Sequence, residues 1–404
     1  MPLYIKHNDE WKSLPRPYVK HGGAWKQTEQ VYVKHDGEWK KIFPEGFVYF
    51  FGFNHNGQRT LRKLNPDTGN VVNHSTFSGW SESSAFNFHP TEKWFFHSFN
   101  AYFGPISFTN PENLNNYCSS NTQKYISYEI YQSPSISLRG GILHPTNPWI
   151  FLWYYGHSST IGNQGTILKF DYTNIWSYSN ISYTEDFNTW TLLGQHYYPV
   201  TSLIQNVLYW MNGSLYAGRA GAGIRRINPD NMSTQAEIPF DPAIEVPPNP
   251  WENNSTGSPI LSFADDGTNL YLAAHRHGIM KVNPETLAFI DGYECNWAHA
   301  VTYGNGYIYA GIESPFNHSS YESKIIKINA SNMTLVDEID TIGTITDLAY
   351  DTETDSIYST SYAGTVHKIN CSNMSIAWTH DTLLSRAYQI RYQVGYPEIG
   401  PYCP

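Results

Sequence analysis

Charge is scarce in this 404-residue sequence. Asp, Glu, Lys and Arg make up 15% of it, less than the 16% contributed by Phe, Trp and Tyr. That balance excludes a disordered chain, which needs high charge and few aromatics, and it does not resemble a helical composition. Cysteine is scarce too. Cys118, Cys295, Cys371 and Cys403 are far apart and form no Cys-x-x-Cys pair, so they read as small buried hydrophobes and not as a disulfide framework. No apolar run approaches the ~20 residues of a membrane span, and the N-terminus has no basic segment leading into an apolar one. The expectation is a chain without membrane insertion or a secretory leader. Asn-x-Ser/Thr triplets, as at Asn231, Asn332 and Asn373, then read as turn composition. Gly-rich phosphate loops, His-Glu-x-x-His helices and nucleophile elbows are all missing. No catalytic residue, cofactor or metal is expected.

What is abundant is aromatic, Asn/Ser-rich and turn-rich, which is a sheet composition. The net charge of −10 is uneven. Residues 1–46 carry eight Lys/Arg against six Asp/Glu, leaving −12 on the remainder. An acidic body argues against nucleic-acid binding.

Residues 1–46 contain one unit three times: Tyr4-Ile-Lys-His-Asn-Asp-Glu-Trp11-Lys, Tyr18-Val-Lys-His-Gly-Gly-Ala-Trp25-Lys and Tyr32-Val-Lys-His-Asp-Gly-Glu-Trp39-Lys. Gly22-Gly23 and Asp36-Gly37 are strong two-residue hairpin signals, because both central residues of such a turn need positive φ. Asn8-Asp9 is a weaker one. A two-residue turn sets the pairing: Lys6 faces Trp11, Lys20 faces Trp25 and Lys34 faces Trp39, each a cross-strand cation–π pair. His7, His21 and His35 each lack a second ligand in their own unit, so they do not read as a zinc site.

From residue 47 a longer motif recurs, a strand ending in Lys/Arg-apolar-Asn followed by a turn. Clear copies are Arg62-Lys-Leu-Asn-Pro-Asp-Thr-Gly, Arg225-Arg-Ile-Asn-Pro-Asp-Asn-Met, Met280-Lys-Val-Asn-Pro-Glu-Thr-Leu, Ile326-Lys-Ile-Asn-Ala-Ser-Asn-Met and His367-Lys-Ile-Asn-Cys-Ser-Asn-Met. Degenerate copies begin at Ser107 and Leu168. The anchors are Asn65, Asn110, Asp171, Asn228, Asn283, Asn329 and Asn370, spaced 45, 61, 57, 55, 46 and 41 residues apart. Four strands surround each anchor; in the last full copy they fall near 345–350, 356–361, 365–370 and 375–379. The expected fold is all-β: a seven-bladed β-propeller over 47–404, preceded by a small β-hairpin repeat arm over 1–46. The first unit starts with a second strand, Phe47–Phe53, and an orphan strand at 386–394 supplies the missing first one. Such closure protects sheet edges.

Connections on one face of a propeller are candidate binding loops. Three long ones belong to one face: Tyr155–Gly165, Phe240–Pro259 and Glu313–Ser323. They carry Tyr155, His157, Trp251, Phe316, His318 and Tyr321, side chains suited to a glycan or protein surface. Ala264-Asp-Asp-Gly-Thr is similar to a sialidase Asp-box, but lacks its Ser and aromatic and reads as a hairpin turn. In Ala274-His-Arg-His-Gly278, His275 and His277 would share a face of a strand, although a polar turn fits better than a metal or catalytic site.

The Asn-Pro-Asp-Thr-Gly turns resemble those of quinoprotein-like and YVTN-type propellers, a likeness that implies fold and not activity. The periodic docking Trp of the quinone enzymes is missing. The Tyr-Val-Lys-His-x-Gly-x-Trp-Lys units resemble short repeats near the N-termini of tailed-bacteriophage structural proteins, departing from them by carrying His. The resemblance implies a virion protein of the tail or tail fibre, assembled in the host cytoplasm and present in multiple copies. Residues 1–46 would hold it to other virion proteins while the propeller meets a host-surface glycan or protein. Two rival expectations are a non-binding decoration or adaptor protein, and a propeller enzyme acting on surface glycans.

Overall fold

A computed structural model describes the backbone of six short strands between residues 3 and 41. Beyond them it describes residues 46–54, 58–77, 83–89, 95–99, 106–109, 111, 114, 116–120, 136–158, 162–173, 191–199, 207–219, 223–238, 260–274, 277–295, 297–313, 322–381 and 384–393. Every regular element among these residues is a β-strand. The chain divides into two compact units, Met1–Phe47 with Gln393–Pro404, and Val48–Tyr392.

The first unit contains three separate two-stranded sheets: β1 (Leu3–His7) with β2 (Glu10–Leu14), β3 (Tyr18–His21) with β4 (Ala24–Gln27), and β5 (Tyr32–His35) with β6 (Glu38–Lys41). Their registers place Lys6 opposite Trp11, Lys20 opposite Trp25 and Lys34 opposite Trp39, as a two-residue connection requires.

The second unit is a β-propeller of four-stranded antiparallel sheets. Six of them use four strands consecutive in the chain. Sheet 2 has β10 (Ser83–Phe88), β11 (Phe95–Phe99), β12 (Ile106–Thr109) and β13 (Asn116–Ser120). Sheet 3 has β14 (Ile136–Leu143), β15 (Trp149–Ser158), β16 (Gly162–Asp171) and β17 (Thr191–Pro199). Sheet 4 has β18 (Val207–Met211), β19 (Ser214–Arg219), β20 (Gly223–Ile227) and β21 (Thr234–Ile238). Sheet 5 has β22 (Ile260–Asp265), β23 (Leu270–Ala274), β24 (Gly278–Val282) and β25 (Phe289–Tyr293). Sheet 6 has β26 (Ala298–Gly304), β27 (Tyr307–Glu313), β28 (Glu322–Asn329) and β29 (Thr334–Ile342), and sheet 7 has β30 (Ile345–Asp351), β31 (Ser356–Ser361), β32 (Thr365–Asn370) and β33 (Ser375–Asp381). Sheet 1 is composite: β7 (Phe47–Asn54), β8 (Arg59–Leu64) and β9 (Val71–Phe77) follow one another, and the late strand β34 (Leu384–Gln393) occupies its first position, next to β7.

Burial grades across each sheet. The second strand is the most deeply buried; every residue of β23 and β31 is inside. The fourth is largely exposed, as in β29. Neighbouring sheets share their cores: Ala300, Tyr309 and Ile325 of sheet 6 pack with Ile345, Leu348 and Ile357 of sheet 7. Each isoleucine or leucine among them contributes about 1.5–3 kcal/mol when removed from water. Gly218 and Gly311, near the ends of β19 and β27, let the next sheet approach; a Cβ on either would lie within 2.8 Å of Ile260 or within 2.6 Å of Ile345.

The anchor residues cap their turns as Asx motifs. Asn65 Oδ1 accepts from the amides of Asp67 and Thr68, and Asn283 Oδ1 from those of Glu285 and Thr286. Four residues after the anchor the backbone turns left-handed, at Gly69, Leu114, Met232, Leu287, Met333 and Met374. The amide of that residue donates to the anchor carbonyl, from Gly69 to Asn65, Met232 to Asn228, Leu287 to Asn283 and Met333 to Asn329. The five non-glycine side chains are buried, so hydrophobic insertion outweighs the cost of positive φ there.

In every sheet but sheet 2, a basic residue two positions before the anchor does a second job. It reaches the next sheet and donates to a carbonyl of that sheet's anchor turn. Lys63 Nζ donates to Pro111 O, Lys169 to Asp230 O, Lys281 to Ala330 O, Lys327 to Cys371 O, and Lys368 to Pro66 O. Arg226 makes the same link to Glu285 O. Opposite these residues, on the second strand, stand Tyr49, Phe151, Tyr216, Tyr271, Tyr309 and Tyr358. In sheet 2 the pair is Phe96 and Phe108, and phenylalanine has no proton to donate. The last of these links runs from sheet 7 to sheet 1.

Candidate binding face

One face of the propeller carries the connections between second and third strands and those between sheets. The chain marks it repeatedly. In sheets 2, 3, 5, 6 and 7 the first strand has a one-residue bulge close to this face, at Ser84, Arg139, Leu261, His299 and Thr346. A bulge re-aims a side chain and ends regular pairing.

Across sheets 6, 7 and 1 the described side chains join into one polar arc. His299 Nε2 lies 3.6 Å from Glu313 Oε2, and Thr344 Oγ1 donates to the other oxygen of Glu313. The carbonyl of Thr344 accepts from the amide of Tyr362. Tyr362 lies edge-on to Tyr388, with ring centroids 5.7 Å apart, and under the guanidinium of Arg386. Nearby, Ser361, Thr365, His367 and Thr379 form a hydrogen-bonded chain. Burial holds His367 below the usual histidine pKa.

Deeper along the first strands, Arg391 of sheet 1 donates to Asp347 of sheet 7 at 2.5 Å, and the amide of Ile390 donates to the same carboxylate oxygen. Arg391 also lies 6.0 Å from the ring of Phe86 in sheet 2. Tyr209 donates to Asp265 at 2.5 Å, and burial, ahead of that carboxylate, raises its phenol well above the ordinary range. Among the described residues no group of three or more His, Cys, Asp and Glu could hold a metal.

The predicted loop residues divide into two sets. Trp251, Phe316, His318 and Tyr321 lie outside the described residues. Tyr155 and His157 lie on β15, where the expected long loop Tyr155–Gly165 is corrected: the hairpin continues, pairing Tyr155 with Gly165, His157 with Asn163 and Ser158 with Gly162. The aromatic run from Trp149 simply keeps its strand, and only residues 159–161 remain between the two strands. Of the polar turn expected at His275–His277, His277 is described and its amide donates to Ala274 O between β23 and β24; His275 lies outside the described residues. Asp265-Asp266-Gly267 is the hairpin turn expected, with Gly267 at positive φ and Asp266 accepting from Thr268, Asn269 and Tyr271. Sequence reasoning missed His299, Glu313, Tyr362 and Arg386. Their only signal was position, at the starts of first strands and the ends of second strands.

No family model matches the sequence, and no curated protein matches it. Many solved structures share the fold. The computationally designed Ika8 protein superposes with a TM-score of 0.51 at 12% identity, over 87% of this chain and 92% of that one. Sqt1 of Saccharomyces cerevisiae superposes with a TM-score of 0.51 at 9% identity, over 86% of each chain. At such identities the likeness concerns the fold alone.

Proposed function

We propose that the seven four-stranded sheets are the blades of one closed ring, and that the protein is a non-catalytic structural component of a tailed-phage particle, in the tail or tail fibre. Residues 1–46 hold it to other virion proteins, in multiple copies assembled in the host cytoplasm, and the propeller meets a host-surface glycan or protein. The blade count is supported by the composite sheet of β34 with β7–β9, and by the link from Lys368 to Pro66.

The observation that carries the functional reading is the arm. Three hairpins share one register, each setting Lys opposite Trp. A two-stranded hairpin is marginal in water by itself, so a threefold repeat of one surface suits attachment to a repeated partner surface. The polar arc on the loop face supports a presenting role for the propeller, because rigid sheets hold its members in fixed relation.

The test is incorporation. Particles of the phage encoding this chain should contain it by mass spectrometry. When the chain is supplied in trans, the full-length form should enter particles and a form lacking residues 1–46 should not, while keeping the same β-rich circular dichroism. Equal incorporation of both forms would overturn the anchoring role, and absence from particles would overturn the virion assignment.

A further inference from the structure

All nine exposed large hydrophobic residues among the described ones lie on fourth strands: β9, β17, β25, β29 and β33. The third and fourth strands of all seven sheets slip by one residue just before the anchor. Bulges of this kind blunt an outer edge against unwanted pairing. In sheet 5 only three regular residues follow the bulge, Asp291–Tyr293.

The regular stretch is longest in β17 and β29, with six residues each. In β29, beyond the bulge at Val336, Asp337–Ile342 pairs regularly with Lys327 back to Glu322. No described strand lies on its other side. Its side chains are almost all exposed, Ile342 at 64% among them. A long, regular and partly apolar outer strand is a template for one more strand.

The charge of the strand selects the occupant. Asp337, Glu338 and Asp340 are exposed on β29, and Lys324 of the inner strand contacts Glu338 and Asp340. Three carboxylates against one lysine leave the edge acidic. A second copy pairing edge to edge would set these carboxylates against themselves, which is destabilising. We infer that the outer edge of β29 accepts an extended segment of a different protein, one that alternates Lys or Arg with apolar residues. Backbone hydrogen bonds supply the pairing, and the opposite charges fix which partner binds.

The test uses the full chain and three labelled synthetic peptides: alternating lysine and valine, alternating glutamate and valine, and the lysine–valine peptide N-methylated at every second residue. Fluorescence anisotropy should show binding of the first alone. Its affinity should fall at least tenfold when Asp337→Lys and Glu338→Lys are combined, exposed changes that leave the core untouched. Hydrogen exchange at 337–342 should slow in the complex. Equal binding of the N-methylated peptide would reduce the effect to charge attraction and overturn the proposal, as would undiminished binding by the charge-reversed chain. Sedimentation showing a dimer of the full chain that this double variant abolishes would overturn it too, by making a second copy the occupant.

Discussion

The ammonium of Lys368 donates to the carbonyl oxygen of Pro66 at 3.1 Å, joining residues 302 positions apart. Trp378 Nε1 donates to the same oxygen at 2.9 Å. Both donors belong to sheet 7 and the acceptor to the first anchor turn. Lys368→Met keeps the stem over Tyr358 and removes the proton donor. A buried hydrogen bond from a charged group is worth about 1.5–3 kcal/mol, so the urea midpoint should fall by a corresponding amount. Lys324→Met, at an exposed lysine, serves as the control and should move it far less. Equal shifts would show that the link to Pro66 carries no special weight.

Met333 presents a contest between backbone and side chain. Its φ is 51° and its side chain is buried. Met333→Ala loses the inserted side chain, at about 2–5 kcal/mol, and keeps the unfavourable φ. Met333→Gly loses the same side chain and gains about 1–2 kcal/mol from relief of the left-handed backbone. Glycine should therefore be at least as stable as alanine here, against the usual order within regular structure. Chemical denaturation of the two variants decides it, and alanine proving clearly the more stable would refute the account.

Stability should also depend on pH. Burial is the leading cause that lowers the pKa of His144, His196, His367 and His380 from the ordinary 6.5. The unfolded chain takes up protons near that value while the folded chain resists them. The stabilising effect is complete above about pH 6.5 and is lost as pH falls below it. Denaturation midpoints should drop between pH 7.5 and 5, and His367→Gln should flatten that dependence. A midpoint that held steady or rose over this range would contradict it.

Burial pushes the thiols of Cys295 and Cys371 up to about 12. The thiolate is the reactive form. At pH 8 a maleimide should leave Cys371, buried between sheets, unlabelled in the native protein and label it fully in urea. Peptide mapping by mass spectrometry reads this out, and rapid native labelling of Cys371 would show that sheet 7 opens locally.

Much of this architecture was legible because each repeat advertises its turn. Asn before Pro or Ala marks an Asx cap, and sheet 7 was placed almost to the residue: strands expected near 345–350, 356–361, 365–370 and 375–379 are found at Ile345–Asp351, Ser356–Ser361, Thr365–Asn370 and Ser375–Asp381. The lysine or arginine before six of the anchors was visible too, but its purpose was not, since its acceptor is a backbone carbonyl in the next repeat. The left-handed residue after six of the anchors was hidden for another reason. Gly69 announces positive φ; Met232, Leu287 and Met333 announce burial, and burial is what holds them there. The loop face was the least legible, because length alone cannot distinguish a loop at Tyr155–Gly165 from a hairpin that continues.

The composite sheet sets an order on synthesis. Sheets 2 to 7 can each be completed from strands that leave the ribosome one after another. β7 emerges before any of them and must wait, with an open edge, for β34. Until that late strand arrives, a nascent chain carries an apolar pairing site built from Phe47–Asn54, and a transcript cut short before Leu384 yields a product that never covers it. Aggregation of truncated products should therefore greatly exceed that of the full chain, however many sheets they have already built.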